Sequence, residues 1–495
     1  MKFNISKLSQ NIILNFTGSG WQGLLTLIVT PFQVSFLGIK AYAVIGLLAL
    51  LQVIINSLDF GLAATVTKLV AEDADNEKKS AAPLASLHIL YWAIGFVIFL
   101  ILIPCAGLIA NIWTEDASSI NPKTLENSIV LISIYLGIRY PVAFYSGVMN
   151  GMQWMGTQNC IKIVIQSLRL GGGVIVLVFS PTIEPLLGWY CLTSILEVSI
   201  YILILREKLP ELFYFKKANV KSLRLQWRYS AGMYAVSLTG LLLGQLDRIT
   251  VSNILTLEDF SVYSIIYNAS IFISLIQLSV NTATFSTFSS VLSNRCKDAT
   301  NLFSNYYLQA NKLMAALVSF PCIALVFYSD EVLSLWINPE VADQGSLCLS
   351  ILAIGFFLAA IVSNAYTAMT ASSNQKFLLY INLAAISWYL PIMYILVKKY
   401  GIDGAAFSWL LLNLFYMFTM VPIVEEKISK QTYIVWIKSI FGMEFFSAIL
   451  IVAISKMLKL ALGMDSEIYF FCSLLFGALA YILILIRRFV LKGIA

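Results

Sequence analysis

Long apolar runs alternate with short polar breaks along this chain, and the alternation predicts its elements. A run of about 20 apolar residues crosses a bilayer as one helix. About fourteen such runs occur. Six precede a basic break, at 8–36, 41–69, 86–112, 128–152, 160–179 and 185–205. Eight follow it, at 229–253, 260–291, 304–327, 345–371, 377–397, 402–424, 433–458 and 468–491. The pattern predicts an all-α polytopic membrane protein. Residues 1–205 form a six-helix bundle, 206–228 a basic linker, 229–424 a second six-helix bundle, and 425–495 two additional transmembrane helices.

Composition agrees. The 495 residues are 59% hydrophobic and 12% charged, against about 25% charged in soluble domains. A water-soluble core cannot absorb that much apolar sequence. The net charge of +6 does not point to nucleic acid, because the basic residues sit in the breaks. The first run has no short apolar core followed by a small-residue cleavage site, so it is expected to remain as the first helix. The seven cysteines are scattered without a C-x-x-C pair and His88 is the one histidine, so no metal site, cofactor motif or disulfide framework is expected.

Placing the amino terminus in the cytoplasm puts 20 Lys and Arg inside and six outside, with both ends cytoplasmic. The linker alone carries seven: Arg206, Lys208, Lys216, Lys217, Lys221, Arg224 and Arg228. Interleaved Leu209, Leu212, Phe213, Leu223, Leu225 and Trp227 suit either a helix lying on an anionic membrane surface or a solvated loop. The halves also repeat at an offset of 217 residues. Pro104–Cys105 maps to Pro321–Cys322, Met152–Asn159 to Met369–Lys376, and Gly188–Trp189 falls near Gly404–Ala405. Repeats of this size mark transporters in which one bundle moves against another.

Several motifs carry a family resemblance. They are Leu37-Gly38 with Tyr42 and Leu58-Asp59-Phe60-Gly61-Leu62; Gly151-Met152-Gln153 with Asn159; Gly244-Gln245-Leu246-Asp247-Arg248 with Tyr263; and Tyr400-Gly401-Ile402-Asp403-Gly404-Ala405-Ala406. In this order the chain resembles the O-antigen and polysaccharide flippases within the multidrug, oligosaccharidyl-lipid and polysaccharide exporters. The resemblance implies two six-helix bundles around a central cavity. It implies transfer of an undecaprenyl-pyrophosphate-linked oligosaccharide from the cytoplasmic to the periplasmic leaflet of a bacterial inner membrane, by alternating access driven by an ion gradient. It also implies a polymerase and a chain-length regulator as partners.

A diphosphate crossing hydrocarbon needs cations, and charges at membrane depth face a cavity or a partner. The substrate-binding candidates are Arg139, Arg169, Arg248 and Lys312. Arginine's planar fork pairs with phosphate oxygens. Arg139 sits mid-run beside Pro141, and Arg169 precedes Gly171-Gly172-Gly173, read as a bending point. Each could instead serve an ion pair or an interfacial anchor, and Arg248 could pair with Asp247. Lys162 and Lys438 read as anchors near helix ends. The ion-coupling candidates are Asp247, Glu197 and Asp59, with a turn-capping role before Gly61 the alternative for Asp59. His88 reads as interfacial, and tryptophans such as Trp92 and Trp189 as belt residues.

Two other classes compete. An ion-coupled multidrug exporter of the same superfamily relies on an acid in its first helix, and 8–36 contains none. A polysaccharide polymerase needs a sizeable aqueous loop and a catalytic constellation, and neither is visible.

Overall fold

The computed structural model describes residues 5–59, 61–73, 81–113, 121–213, 238–293, 299–372, 375–462 and 467–487. Helices are the regular elements among them, as the bilayer requires: without water, each backbone group must be satisfied inside its own segment. The chain divides into two compact units. One is Met1–Gln245 with Thr256–Ser261; the other is Leu246–Leu255 with Val262–Ala495.

The first unit contains α1 (Ile5–Ser57), α2 (Leu62–Asp73), α3 (Ala81–Trp113), α4 (Pro122–Arg139), α5 (Val142–Gly151) and α6 (Met155–Gln166). A π-helical segment (Ser167–Gly171), α7 (Gly172–Phe179) and α8 (Ile183–Lys208) follow. The second unit takes up α9 (Leu246–Ile254), most of α10 (Leu257–Ser293), α11 (Ala299–Phe327), α12 (Ser329–Trp336), α13 (Pro339–Ala371) and α14 (Gln375–Val424). It ends with another π segment (Glu425–Ser429), α15 (Tyr433–Ile440), α16 (Met443–Leu462) and α17 (Glu467–Ile486).

Among the described residues, ten helices are long and apolar enough to cross a membrane. Two of them hold more than one crossing. α1 has 53 residues, about 80 Å of helix against a hydrocarbon core of about 30 Å. It turns at Gly38, with φ 79° and ψ 160°. α14 turns likewise at Gly401, with φ 59° and ψ −136°. Positive φ is open to glycine at no steric cost. The runs 8–36 and 41–69, and again 377–397 and 402–424, are therefore joined by a glycine turn.

The repeat is visible in the elements. α4 starts at Pro122 with Asn121 as its cap, whose side chain accepts the Lys123 N–H at 2.9 Å. α13 starts 217 residues on, at Pro339, with Asn338 accepting the Val341 N–H at 2.9 Å. Proline suits the first helical position because its missing donor has no partner there, and asparagine satisfies a free N–H beside it. Pro104 in α3 and Pro321 in α11 obey the same offset.

Close backbone approach builds the first unit. On α5, a Cβ at Gly147 would stand 2.9 Å from the Ala63 carbonyl oxygen, and one at Gly151 2.7 Å from that of Thr67. The Thr67 hydroxyl donates to the Gly147 carbonyl at 3.1 Å. This small-residue seam lets α2 and α5 touch, as membrane helices do where packing replaces the hydrophobic effect. Large apolar side chains such as Phe96, Ile101 and Leu108 of α3 stay exposed, a surface suited to lipid.

The beginning of the basic linker departs from a surface-lying helix. Pro210–Phe213 is a short 3-10 turn. Leu212 is buried, Leu209 and Phe213 pack on the first unit's core, and the Phe213 ring sits 5.3 Å from His88. The apolar residues here cover protein. Residues 214–228, with five of the seven linker cations, lie outside the described residues.

Candidate functional site

Three charged side chains from the sequence reading converge inside the first unit. Arg139 ends α4, where a cation opposes the negative end of the helix dipole. The helix breaks there at Tyr140–Pro141 before α5 begins. Arg169 sits in the Ser167–Gly171 π segment. Glu197 lies on α8. One carboxylate oxygen serves both arginines: Glu197 Oε2 accepts from Arg169 Nη2 at 2.6 Å and from Arg139 Nε at 3.3 Å.

The two guanidiniums are held differently. Arg169 is sealed, with a side chain 4% exposed. Its Nε donates to Thr193 Oγ1 at 3.1 Å, and Nη2 also reaches Ser194 Oγ at 3.5 Å. Arg139 is more open, at 19%. Its Nε bond to Glu197 is its one hydrogen bond among the described residues, so its terminal nitrogens remain available. Both guanidiniums lie near the Tyr135 ring, at 5.9 Å for Arg139 and 5.4 Å for Arg169. Lys162 is within electrostatic reach of Arg139 and Glu197. One acid against two arginines leaves net positive charge.

Local packing explains this shape. Trp189 Nε1 donates to the Leu168 carbonyl at 3.0 Å, occupying an acceptor in the π turn. A Cβ at Gly172 would meet the Trp189 ring at 2.6 Å. Gly172, within the stretch read as a bending point, therefore makes room for a tryptophan that braces the segment carrying Arg169. Trp189 is correspondingly a packing residue with a bonded indole.

The remaining candidates sit elsewhere. Asp59 lies in the break between α1 and α2; its carboxylate accepts the Ala63 N–H at 3.1 Å and the Tyr91 hydroxyl. That caps α2. In the second unit, Asp247 is fully buried on α9 and accepts from the Tyr263 hydroxyl at 2.6 Å. Arg248 turns to the Tyr267 ring, its guanidinium carbon 3.6 Å from the centroid. Asp247 and Arg248 make no salt bridge within 4 Å among the described residues, but the Arg248 charge acts on the Asp247 carboxylate. Lys312 is half-buried on α11, with no ion pair among the described residues.

Some functional geometry was missed in the sequence. His88 is buried within the protein: it is 2% exposed, and its Nε2 lies 3.0 Å from the Tyr145 hydroxyl. Trp92 Nε1 donates to the same hydroxyl at 3.1 Å. Tyr135, Thr193 and Ser194 stand three or four residues before Arg139 or Glu197, so helical spacing places them on the same faces. That signal was present.

The comparisons with known proteins agree with this fold. The sequence profile of the polysaccharide biosynthesis proteins matches residues 8–292. A Shigella flexneri protein named "Putative O-antigen transporter" is 22% identical over 410 residues, covering 81% of this chain and 93% of that one. The lipid II flippase MurJ, in an inward closed conformation, superposes with TM-score 0.66 at 17% identity, covering 96% of this chain and 99% of that chain. An inward-facing multidrug resistance MATE family transporter of the MOP superfamily gives 0.65 at 14% identity, covering 83% and 95%. Over half of its length, and with the fold of these flippases and transporters throughout, the chain belongs to the polysaccharide biosynthesis protein family.

Proposed function

We propose that this protein flips an undecaprenyl-pyrophosphate-linked oligosaccharide, an O-antigen or related repeat unit, from the cytoplasmic to the periplasmic leaflet of a bacterial inner membrane. The observation that carries the reading is the Arg139–Glu197–Arg169 triad. It has surplus positive charge at membrane depth, and the guanidinium with free terminal nitrogens is the more exposed one. Arg139 would meet the diphosphate with paired, charge-assisted hydrogen bonds. Glu197 and Arg169 would hold Arg139 in position. Arg248 and Lys312 are proposed as further cationic contacts in the second unit, and alternating access carries the headgroup across.

An ion gradient is the proposed drive. Asp247 is the coupling acid favoured by its environment, because it is fully buried and its one side-chain hydrogen bond among the described residues is to the neutral Tyr263 hydroxyl. Glu197 is committed to two guanidiniums and Asp59 to a helix cap, which weakens both as ion carriers. Both termini are proposed to be cytoplasmic, with a polymerase and a chain-length regulator as partners. A multidrug exporter has similar support from fold alone.

The test is restoration of surface polysaccharide in cells lacking their own flippase. The wild-type chain should restore it, Arg139→Ala should not, and Arg139→Lys should restore part. Wild-type failure in every background, with drug efflux in the same cells, would replace this reading with the exporter.

A further inference from the structure

A polar cluster in the second unit lies outside every residue assigned above. Glu425 opens the π segment after α14 and is 1% exposed. Neither of its carboxylate oxygens makes a hydrogen bond of ordinary geometry, and the Ser429 hydroxyl lies within reach of them. It takes part in no ion pair among the described residues. Facing it from α11 is Tyr307, fully buried and within electrostatic reach, with Asn311 one turn further on. Asn311 Oδ1 accepts from Asn364 Nδ2 of α13 at 3.0 Å. The Tyr307 hydroxyl and the Asn311 side chain, one turn apart, meet only loosely, and Asn364 Oδ1 has no hydrogen-bond partner. Beside them, the Ser429 and Ser304 hydroxyls are 3.4 Å apart.

Buried polar groups are ordinarily paired, and an isolated ionised carboxylate in an apolar interior is not sustained. It takes up a proton or gathers a cation. The nearest charges do not perform that task. Glu426 and Lys427 on the same segment are exposed, and Lys427 Nζ lies 4.3 Å over the Phe377 ring. Tyr307 is the titratable group facing from α11, and it is linked through Asn311 to the neutral Asn364 of α13. The oxygens around the site are a carboxylate, a phenol and the Ser429 hydroxyl, hard donors of the kind a hard cation takes. A π turn displaces the register of a helix by one residue and recurs at functional positions. Here it is closed by Lys430 in the left-handed region, with φ 56°.

We propose that Glu425 holds one exchangeable monovalent cation, a proton or a sodium ion, with the Tyr307 and Ser429 hydroxyls as neutral oxygen partners. Occupancy would join α11 to the end of α14. The use of this site to drive transport rests on the flippase reading; its existence does not.

The experiment uses purified full-length protein in nanodiscs and requires no transport. Infrared pH titration reports the protonated carboxyl band, and equilibrium binding of radioactive sodium reports the metal. A band present at neutral pH in wild type and missing from Glu425→Gln assigns the proton. One equivalent of sodium bound by wild type and lost in Glu425→Gln assigns sodium. Ser429→Ala keeps the carboxylate and should weaken sodium binding, or shift the proton titration, by about tenfold. Wild type and Glu425→Gln that match in both readouts, with equal thermal stability, would overturn the proposal. That result would leave the flippase reading standing.

Discussion

The two halves share a frame and differ in what they bury. Shifted by 217 residues, Asn121–Pro122 falls on Asn338–Pro339 and Pro104 on Pro321. At the same shift, Arg139, Arg169 and Glu197 fall on Phe356, Ile386 and Leu414. The second-unit cluster behaves conversely: Tyr307, Asn311, Asn364 and Glu425 correspond to Leu90, Ile94, Gly147 and Lys208. The Asn-Pro helix start and the mid-helix proline repeat, because the bilayer asks the same of both halves. The buried charges do not repeat. The first half holds a cationic cluster suited to an anionic headgroup, and the second holds acids suited to a small cation.

Breaking the triad from one side should have the largest effect. Glu197→Gln leaves two guanidiniums without their carboxylate and should cost about 3–5 kcal/mol of stability, read as thermal unfolding in detergent. Erasing the difference between the halves should do less harm to the fold. Arg139→Phe, Arg169→Ile and Glu197→Leu together replace the triad with its second-half counterparts. Apolar replacement of a buried ion cluster is often near neutral for stability. This variant should fold and yet fail to restore polysaccharide.

The helix seam gives a smaller contrast. Gly151 corresponds to Ala368, which is fully buried in the second half. Gly151→Ala should cost about 1–3 kcal/mol by overpacking, because its Cβ would stand 2.7 Å from the Thr67 oxygen and from Val70. Equal melting of this variant and wild type would show that α2 yields.

The smallest effect is expected at Glu331 on α12, outside the spans. Burial pushes its carboxyl up, but donation from Lys456 and Lys459 outweighs that and holds it below the ordinary glutamate range. A depressed folded value stabilises above the unfolded pKa of about 4.3. That stability is lost as pH falls through the folded value. Glu331→Gln should remove about 1 kcal/mol at neutral pH and flatten the acid limb of the stability profile.

Much of the frame was legible in the sequence because hydrocarbon imposes a length and a composition on every crossing. The turns at Gly38 and Gly401 were visible as motif glycines, though their positive φ was not. The triad was legible only as separate charges. Arg139 and Glu197 are 58 residues apart, and nothing local states which helices adjoin. Arg169 was harder still, since a π turn shifts the face on which a residue falls. The neighbours of His88 were hidden for a related reason: an apolar run beginning near a histidine looks the same whether the ring meets water or, as here, Tyr145 and Phe213.

The central claim is that the first-half cluster binds a lipid diphosphate through Arg139. The direct measurement is the affinity of purified protein for a polyprenyl diphosphate, compared with the monophosphate, in wild type, Arg139→Gln and the apolar triple variant. Wild type should prefer the diphosphate, and Arg139→Gln should weaken it by about tenfold or more, the scale of one charge-assisted contact. The triple variant should lose the preference. Equal diphosphate affinity in all three proteins would contradict the account.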